Sequence, residues 1–136
     1  MNTYNINDEN FIKTSMYQEY MRENPSTGNL RIRASAANGA IPVEGVKAII
    51  TNEIDGNRVI FFEGYTNESG VIERITLPAP KLNISDLNVP NKTTYKLRIT
   101  FPKENIDQTY DVNMYENICV VQNVNISPKS NIEGEI

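Results

Sequence analysis

The chain of 136 residues contains no histidine, no tryptophan and one cysteine, Cys119. Without histidine it cannot form a Ser-His-Asp triad, a Cys-His pair or a histidine-based zinc site. A single cysteine excludes an internal disulfide and a cysteine-rich zinc site. From these absences we predict a protein that is not an enzyme and that holds no metal and no cofactor.

Long apolar runs and an excess of positive charge are also missing. No stretch approaches the roughly 18 apolar residues that a membrane span needs. The N-terminal sequence Met1-Asn2-Thr3-Tyr4-Asn5 has no basic region and no apolar segment, so we expect no signal peptide. The formal net charge of −4 argues against a nucleic-acid binder. We therefore expect cytoplasmic synthesis, with no nucleic-acid partner and no membrane partner.

Hydrophobic residues make up 39% of the chain and charged residues 22%, which is typical of one globular domain with a substantial core. Near the N-terminus, Asn7 or Asp8 is predicted to cap a helix that ends at about Glu23, before Asn24-Pro25. The apolar side chains of this helix form two neighbouring stripes, which together cover a wide arc.

Such an arc either packs entirely on its own domain or leaves one stripe for a neighbour. An exposed apolar stripe usually marks a contact. We therefore treat both stripes as a candidate protein interface, formed by Ile12, Met16, Tyr17, Tyr20 and Met21.

After residue 28 the apolar residues alternate with a period of two, which predicts strands. The seven predicted strands lie around residues 30–36, 41–51, 59–63, 71–77, 95–101, 110–114 and 120–126. Asn38-Gly39 and Asp55-Gly56 are hairpin signals, and the turn from Thr66 to Gly70 precedes the fourth strand. Gly45 suggests a bulge in the second strand. Together these features predict an all-β fold, a seven-stranded antiparallel sandwich with an N-terminal α-helix.

The clearest strand pattern is in the fifth segment, where Leu97, Ile99 and Phe101 are expected to be buried on one face of a central strand. The predicted organisation has three parts. Residues 1–27 form a helical extension and linker, residues 28–127 form the sandwich, and residues 128–136 form a polar tail. The loop from Lys81 to Asn91 has no clear period.

Four motifs follow one another along the chain: Gly28-x-Leu30-x-Ile32, Pro42-Val43-x-Gly45-Val46-x-Ala48, Thr66-Asn67-x-x-Gly70 and Tyr95-x-Leu97. In order and spacing they resemble the carboxypeptidase regulatory-like family, over about residues 28 to 127. That resemblance implies a Greek-key sandwich of transthyretin type. Ser69-Gly70 followed by Leu77-Pro78-Ala79-Pro80 is similar to the transthyretin-like domain of clostridial spore cortex-lytic enzymes.

The resemblance concerns the fold and does not say what the protein does, and the sequence shows no catalytic constellation. The 5-hydroxyisourate hydrolases are similar in fold, but they work with histidine, which this chain lacks. The leading hypothesis is a non-catalytic sandwich that binds protein partners or self-assembles, as a structural or accessory subunit of a bacterial assembly. Two settings fit the resemblance, a phage or phage-tail-like particle and a spore cortex-lysis system. The alternative is a module that binds carbohydrate or peptidoglycan, with a cell-wall glycan as its ligand.

Two groups of residues with carboxylate or amide oxygens are weaker candidates. Glu53, Asp55, Asn57 and Glu63 could offer oxygen ligands to Ca²⁺ around one turn, although their spacing is not that of an EF-hand and a solvated hairpin tip is the favoured interpretation. Glu104 and Asp107 could act as a carboxylate pair, but such pairs catalyse reactions only in a cleft.

Basic residues and the single thiol complete the candidates. Lys47, Arg58, Arg31 and Arg33 could form a basic patch, although strand alternation already explains Arg31 and Arg33 as a solvated face. Cys119 lies out of register with Val120, Val124 and Ile126, which places it on an outer face or at a bulge. It has no basic neighbour in the sequence that would favour the thiolate, so a reactive cysteine is not favoured.

Overall fold

The computed structural model describes residues 2–82 and 91–126. This part of the chain contains two short α-helices, α1 (Glu9–Ile12) and α2 (Ser15–Glu23), and a 3-10 turn at Pro102–Glu104. It also contains nine strands: β1 (Thr3–Asn5), β2 (Ser26–Ala36), β3 (Ile41–Pro42), β4 (Lys47–Ile54), β5 (Asn57–Tyr65), β6 (Val71–Ala79), β7 (Thr93–Phe101), β8 (Ile106–Met114) and β9 (Cys119–Asn125). The predicted tail 128–136 and most of the loop predicted from Lys81 to Asn91 lie outside the described residues.

The strands form two sheets that share one hydrophobic core, so the architecture is sandwich-like. The first sheet has the order β1-β5-β4-β7-β8. The second has the order β3-β2-β6, with β9 pairing along β2. The core takes its residues from both sheets, among them Leu30 and Leu77 from the second sheet and Ile50 and Leu97 from the first. The predicted all-β class is therefore confirmed in its coarse form.

The number and direction of the strands need correction. All seven predicted strands are present, as β2 and β4 to β9, but β1 and β3 are additional. Two pairs are parallel, β1 with β5 and β2 with β9, so the expectation of an entirely antiparallel sandwich is wrong. Hairpin signals predict only the pairing between two strands that are consecutive in the sequence. The two parallel pairs join strands that are far apart along the chain, where no local signal acts.

The segment predicted as one strand over residues 41–51 is divided between the two sheets. Its first part, β3, pairs with β2, and its second part, β4, belongs to the first sheet. Between them Gly45 adopts φ +84° and its N–H donates to the Thr66 carbonyl at 3.0 Å. Gly45 therefore marks the crossing between the sheets rather than the predicted bulge, because only glycine takes this conformation without strain.

The predicted N-terminal helix is two helices. Asp8 caps α1 as expected, since its side chain accepts from the Asn10 N–H at 2.9 Å. Thr14 then has an extended backbone and caps α2 by accepting from the Tyr17 N–H at 3.3 Å. Its hydroxyl also donates to the Phe11 carbonyl at 2.7 Å. No helix in the described part of the chain is long and apolar enough to cross a membrane.

The N-terminal segment is built into the first sheet. The Arg58 N–H donates to the Asn2 carbonyl at 2.9 Å and the Ile6 N–H donates to the Ile60 carbonyl at 3.1 Å, on either side of β1. Phe11 is buried, with its ring stacked on Tyr4 at 4.8 Å between centroids. The predicted boundary at residue 27 falls inside β2, which begins at Ser26.

The turn from Thr66 to Gly70 connects the two sheets. The Thr66 hydroxyl donates to the Val43 carbonyl at 2.8 Å and accepts from the Val46 N–H at 3.0 Å, so it holds both sides of the crossing at Gly45. Gly70 adopts φ +73°, and a Cβ atom there would lie 2.4 Å from the Ala34 carbonyl oxygen. Glycine is therefore required at this position by both backbone conformation and space.

Strand β7 lies between β4 and β8, and its inward residues form the centre of the core. Leu97 and Ile99 are fully buried, as expected. Phe101 is only half-buried, because it is the last residue of the strand, at the margin of the sheet. The alternation therefore predicted correctly which face of β7 is buried, but it did not predict that full burial ends before Phe101.

We expect Ile99→Ala to lower the free energy of unfolding by about 2–5 kcal/mol, because it removes a fully buried side chain and leaves a cavity. Urea denaturation followed by circular dichroism measures this loss. The matched control is Thr109→Ser on the exposed side of β8, which should change stability by less than about 0.5 kcal/mol. If the two variants were equally stable, the assignment of the core face would be wrong.

Candidate functional site

The five helix residues predicted as a protein interface all contact their own domain. Tyr20 is buried, and Ile12, Met16, Tyr17 and Met21 are half-buried and pack against the hydrophobic core. The break at Thr14 turns α1 and α2 separately onto the sheet, so neither apolar stripe is left fully exposed. Tyr20 is not available to a partner, and a role of the other four residues at an interface stays a prediction.

Tyr20 belongs to a chain of hydrogen bonds, most of it buried, that links α2, β4, β6 and β7. The Tyr95 hydroxyl on β7 donates to the Pro78 carbonyl on β6 at 2.6 Å and lies 3.0 Å from the Tyr20 hydroxyl on α2. The Asn52 side chain donates to the Tyr20 oxygen at 2.9 Å. The Phe61 ring packs against both tyrosines, with centroid distances of 5.5 and 5.2 Å.

Burial raises the pKa of the Tyr95 hydroxyl far above its usual value, and it raises the pKa of Tyr20 as well. An ionised phenol in this position would lose its hydration and would have no positive partner in the chain of hydrogen bonds. Both tyrosines are therefore neutral, and their role is to connect the helix and the two sheets.

The last strand, β9, presents one edge to solvent. At the two ends of its pairing with β2, the Asn29 N–H donates to the Ile118 carbonyl at 3.0 Å and the Ile126 N–H donates to the Ser35 carbonyl at 2.8 Å. In a parallel pair of strands, the backbone N–H and C=O groups of successive residues alternate: one residue bonds to the neighbouring strand and the next points away from it. The backbone groups of Cys119, Val121 and Asn123 therefore point away from β2. Within the described residues, no strand pairs with this outer edge.

Apolar side chains are exposed along the same strand. Val121 is 52% exposed, and Ile118, just before the strand, is 50% exposed. Cys119 is also exposed, at the first position of β9. The predicted register of this strand is confirmed, because Val124 and Ile126 are buried while Cys119 lies on the outer face.

Three other strands at the edges of the two sheets carry the protections that natural sheets use, which are short length, charges and proline. Strand β1 has three residues. Strand β6 carries Glu73, Arg74 and Pro78, and β8 carries Asp107 and Asp111. Strand β9 has seven residues, with no charged residue, proline or glycine among them. Within the described residues, the edge of β9 carries none of these protections and is therefore chemically open to another strand.

A polar groove lies beside β9 on the outer face of the second sheet. Its volume is about 570 Å³. It is lined by Arg33, Ser35, Asn38, Gly39, Asn123, Val124 and Asn125. Arg33 pairs in register with Asn123, and its neighbours Ile32 and Ala34 are fully buried, so the Arg33 side chain is on the solvent side.

The structure does not bring the predicted calcium ligands together. Asp55 and Gly56 form the tight turn between β4 and β5, with φ values of 51° and 77°. Glu63 lies near the other end of β5, where it pairs with Lys47 at 3.2 Å. Within the described residues, no cluster of three or more acidic, cysteine or histidine side chains could hold a metal ion.

The predicted carboxylate pair is not a pair in the structure. Asp107 is engaged by Arg98 through two hydrogen bonds, of 3.0 and 2.7 Å. These hydrogen bonds lower the pKa of the Asp107 carboxyl. Glu104 lies in the preceding 3-10 turn and is half-buried. Asp107 is therefore an ionised partner of Arg98 on an exposed sheet surface, where it stabilises the position of the arginine and is not placed for proton transfer.

The four predicted basic residues lie on two different surfaces. Lys47 and Arg58 belong to β4 and β5 of the first sheet, whereas Arg31 and Arg33 belong to β2 of the second. Arg31 is 3.6 Å from Glu73. The four residues therefore do not form a single patch, and of the four only Arg33 lines the groove.

Sequence reasoning missed the features that matter most at this site. The sequence does not single out Val121, because the alternation of β9 shows which face a side chain occupies but not that the strand lies at the margin of a sheet. The groove also depends on the long-range pairing of β2 with β9. The sequence feature that indicates an unprotected edge is the absence of charged residues and proline between residues 119 and 125.

No protein-family model matches the chain, and no curated protein matches it in sequence. Among solved structures, the chain is similar to the dioxygenase domain of a dioxygenase and carbohydrate-binding protein fusion from the cellulolytic bacterium Streptomyces sp. SirexAA-E. The identity is 8%, the match covers 74% of this chain and 82% of that chain, and the TM-score is 0.40.

It is also similar to catechol 1,2-dioxygenase from Acinetobacter sp. ADP1, with 12% identity, a TM-score of 0.41 and coverage of 82% of this chain and 40% of that chain. At these TM-scores the likeness carries no argument about the chemistry or the family of this chain.

We expect Tyr95→Phe to lower the free energy of unfolding by about 1–3 kcal/mol, because it leaves the buried Pro78 carbonyl without a donor. Tyr20→Phe should cost less, because Tyr95 keeps its hydrogen bond to the Pro78 carbonyl and the other partner of Tyr20, Asn52, is half-buried and can reach water. Urea denaturation of both variants and of the double variant measures the two losses and their coupling.

The matched control for the tyrosine variants is Tyr65→Phe, at a ring that is 63% exposed, which should be neutral within about 0.5 kcal/mol. A Tyr95→Phe variant as stable as this control would contradict the role of the Tyr95 hydroxyl.

Proposed function

We propose that this protein is a non-catalytic β-sandwich protein that acts by protein–protein binding, as a structural or accessory subunit of a bacterial assembly. The observation that supports the proposal is the outer edge of β9, which has exposed apolar side chains and none of the usual protections. A sheet edge of this kind accepts an added strand, whose main-chain hydrogen bonds continue the sheet.

The occupant that we propose for the β9 edge is β9 of a second copy. The chain carries a net charge of −4, so two copies repel each other overall. At β9 no like charges would meet, because the strand has no charged residue. A twofold axis beside Val121 would place this side chain near its counterpart and join the two second sheets, and self-complementary contacts of this kind are the commonest form of association.

The wider setting follows from the resemblance to the transthyretin-like family, and it is part of the proposal. The seven long strands would form a Greek-key sandwich of that type, with β1 and β3 as additions. The two settings are a phage or phage-tail-like particle and a spore cortex-lysis system. In either one the protein would be synthesised in the cytoplasm and incorporated into the particle or the spore.

The second candidate function is binding to a carbohydrate or to peptidoglycan. The polar groove next to Arg33 favours it, because amide and hydroxyl side chains line the groove together. We rank it below protein binding because no aromatic ring lines the groove. Exposed rings are the usual platforms for sugars.

Sedimentation velocity in a reducing buffer, over the micromolar range, tests self-association through β9. The wild-type protein should shift from monomer to dimer as its concentration rises. Val121→Lys should remain monomeric, because two lysines would meet across the paired strands. The reducing agent excludes a disulfide through Cys119 as the cause of dimerisation.

The matched control is Ile41→Lys, which places the same charge at a side chain of similar exposure, 55%, away from β9. It should dimerise like the wild type. A wild-type protein that stays monomeric throughout, or a Val121→Lys variant that still dimerises, would overturn the proposal.

A further inference from the structure

The groove beside Arg33 has a charge balance that favours an anionic ligand. None of the described residues that line it is acidic. Within the described residues, no carboxylate lies within ion-pair distance of Arg33, whereas Arg31 on the same strand is paired with Glu73 and Arg98 is paired with Asp107. Among the residues that the structure describes, nothing neutralises the Arg33 guanidinium group, whose planar donors match a carboxylate in a two-point contact.

The other side chains of the groove favour hydroxyl groups on the same ligand. Ser35 offers a hydroxyl group, and Asn38 and Asn123 each offer an amide oxygen and an amide NH₂ group. A sugar hydroxyl both donates and accepts, so it can use both kinds of group. The volume of about 570 Å³ is within the range of roughly 300–1,000 Å³ that is typical of small-molecule sites.

We propose that this groove binds a small polyhydroxylated ligand that carries a carboxylate, such as an acidic sugar. Arg33 holds the carboxylate, while Ser35, Asn38 and Asn123 bind the hydroxyl groups. The site lies on the outer face of the second sheet and does not need the β9 edge, so it goes beyond the proposed self-association and is tested separately from it.

Titration of the full-length protein with galacturonate, followed by backbone amide chemical shifts in NMR, tests the site. The amides of Arg33, Gly39 and Asn123 should shift with saturation in the millimolar range. Galactose lacks the carboxylate, acetate lacks the ring, and inorganic phosphate is an anion without the ring. Each of these three should bind at least about tenfold more weakly than galacturonate.

Arg33→Gln should weaken galacturonate binding at least about tenfold, and Arg33→Lys should weaken it less, because lysine keeps the charge but not the two-point geometry. The matched control is Arg74→Gln, at an exposed arginine of β6 outside the groove, which should bind like the wild type. The spectra of the free variants report whether each one is folded.

Three results would overturn the proposal. The first is the absence of saturable shifts at the groove amides. The second is equal affinity for galacturonate and either galactose, acetate or phosphate, which would remove the combined recognition of carboxylate and hydroxyl groups. The third is unchanged binding in a folded Arg33→Gln variant.

Discussion

The hydroxyl group of Tyr95 is the interaction on which the arrangement of this domain depends. A fully buried phenol must find partners, because an unsatisfied polar group in the core is costly. Its partners come from both other layers, the Pro78 carbonyl of the second sheet and the Tyr20 hydroxyl of α2. One side chain therefore fixes how far apart the two sheets lie at this point and where the helix docks. The contacts of Phe61 with both tyrosine rings hold the same junction through apolar packing.

Much of the local structure could be predicted from the sequence. The alternation from Tyr95 to Phe101 located β7 and its inward face, and the signals at Asn38-Gly39 and Asp55-Gly56 located two turns. The patterns failed where a single residue changed the course of the chain. Thr14 caps a second helix inside an apparently continuous helical period, and Gly45 turns the chain from one sheet to the other. Periodicity averages over many residues and does not detect such points.

The candidate site was harder to predict, for a different reason. That Cys119 and Val121 face outward follows from the period of two, but the position of β9 at the margin of the second sheet results from its parallel pairing with β2. This pairing joins residues about 90 positions apart, for which the sequence carries no local signal. The predicted acidic and basic sites are absent for a similar reason. Residues that are near one another in the sequence do not always lie on the same surface of the fold. Lys47 and Arg31, for example, lie on different sheets.

The central claim is that the outer edge of β9 is open and receives a second copy of the chain. Amide hydrogen exchange by NMR in a reducing buffer, at low and high protein concentration, tests it most directly. The Val121 amide points away from β2, whereas the neighbouring Gln122 amide lies on the side that pairs with β2 and serves as an internal control. We predict that exchange at Val121 slows markedly as the concentration rises, while Gln122 is protected at both concentrations. A Val121 amide whose exchange does not depend on concentration would contradict the claim.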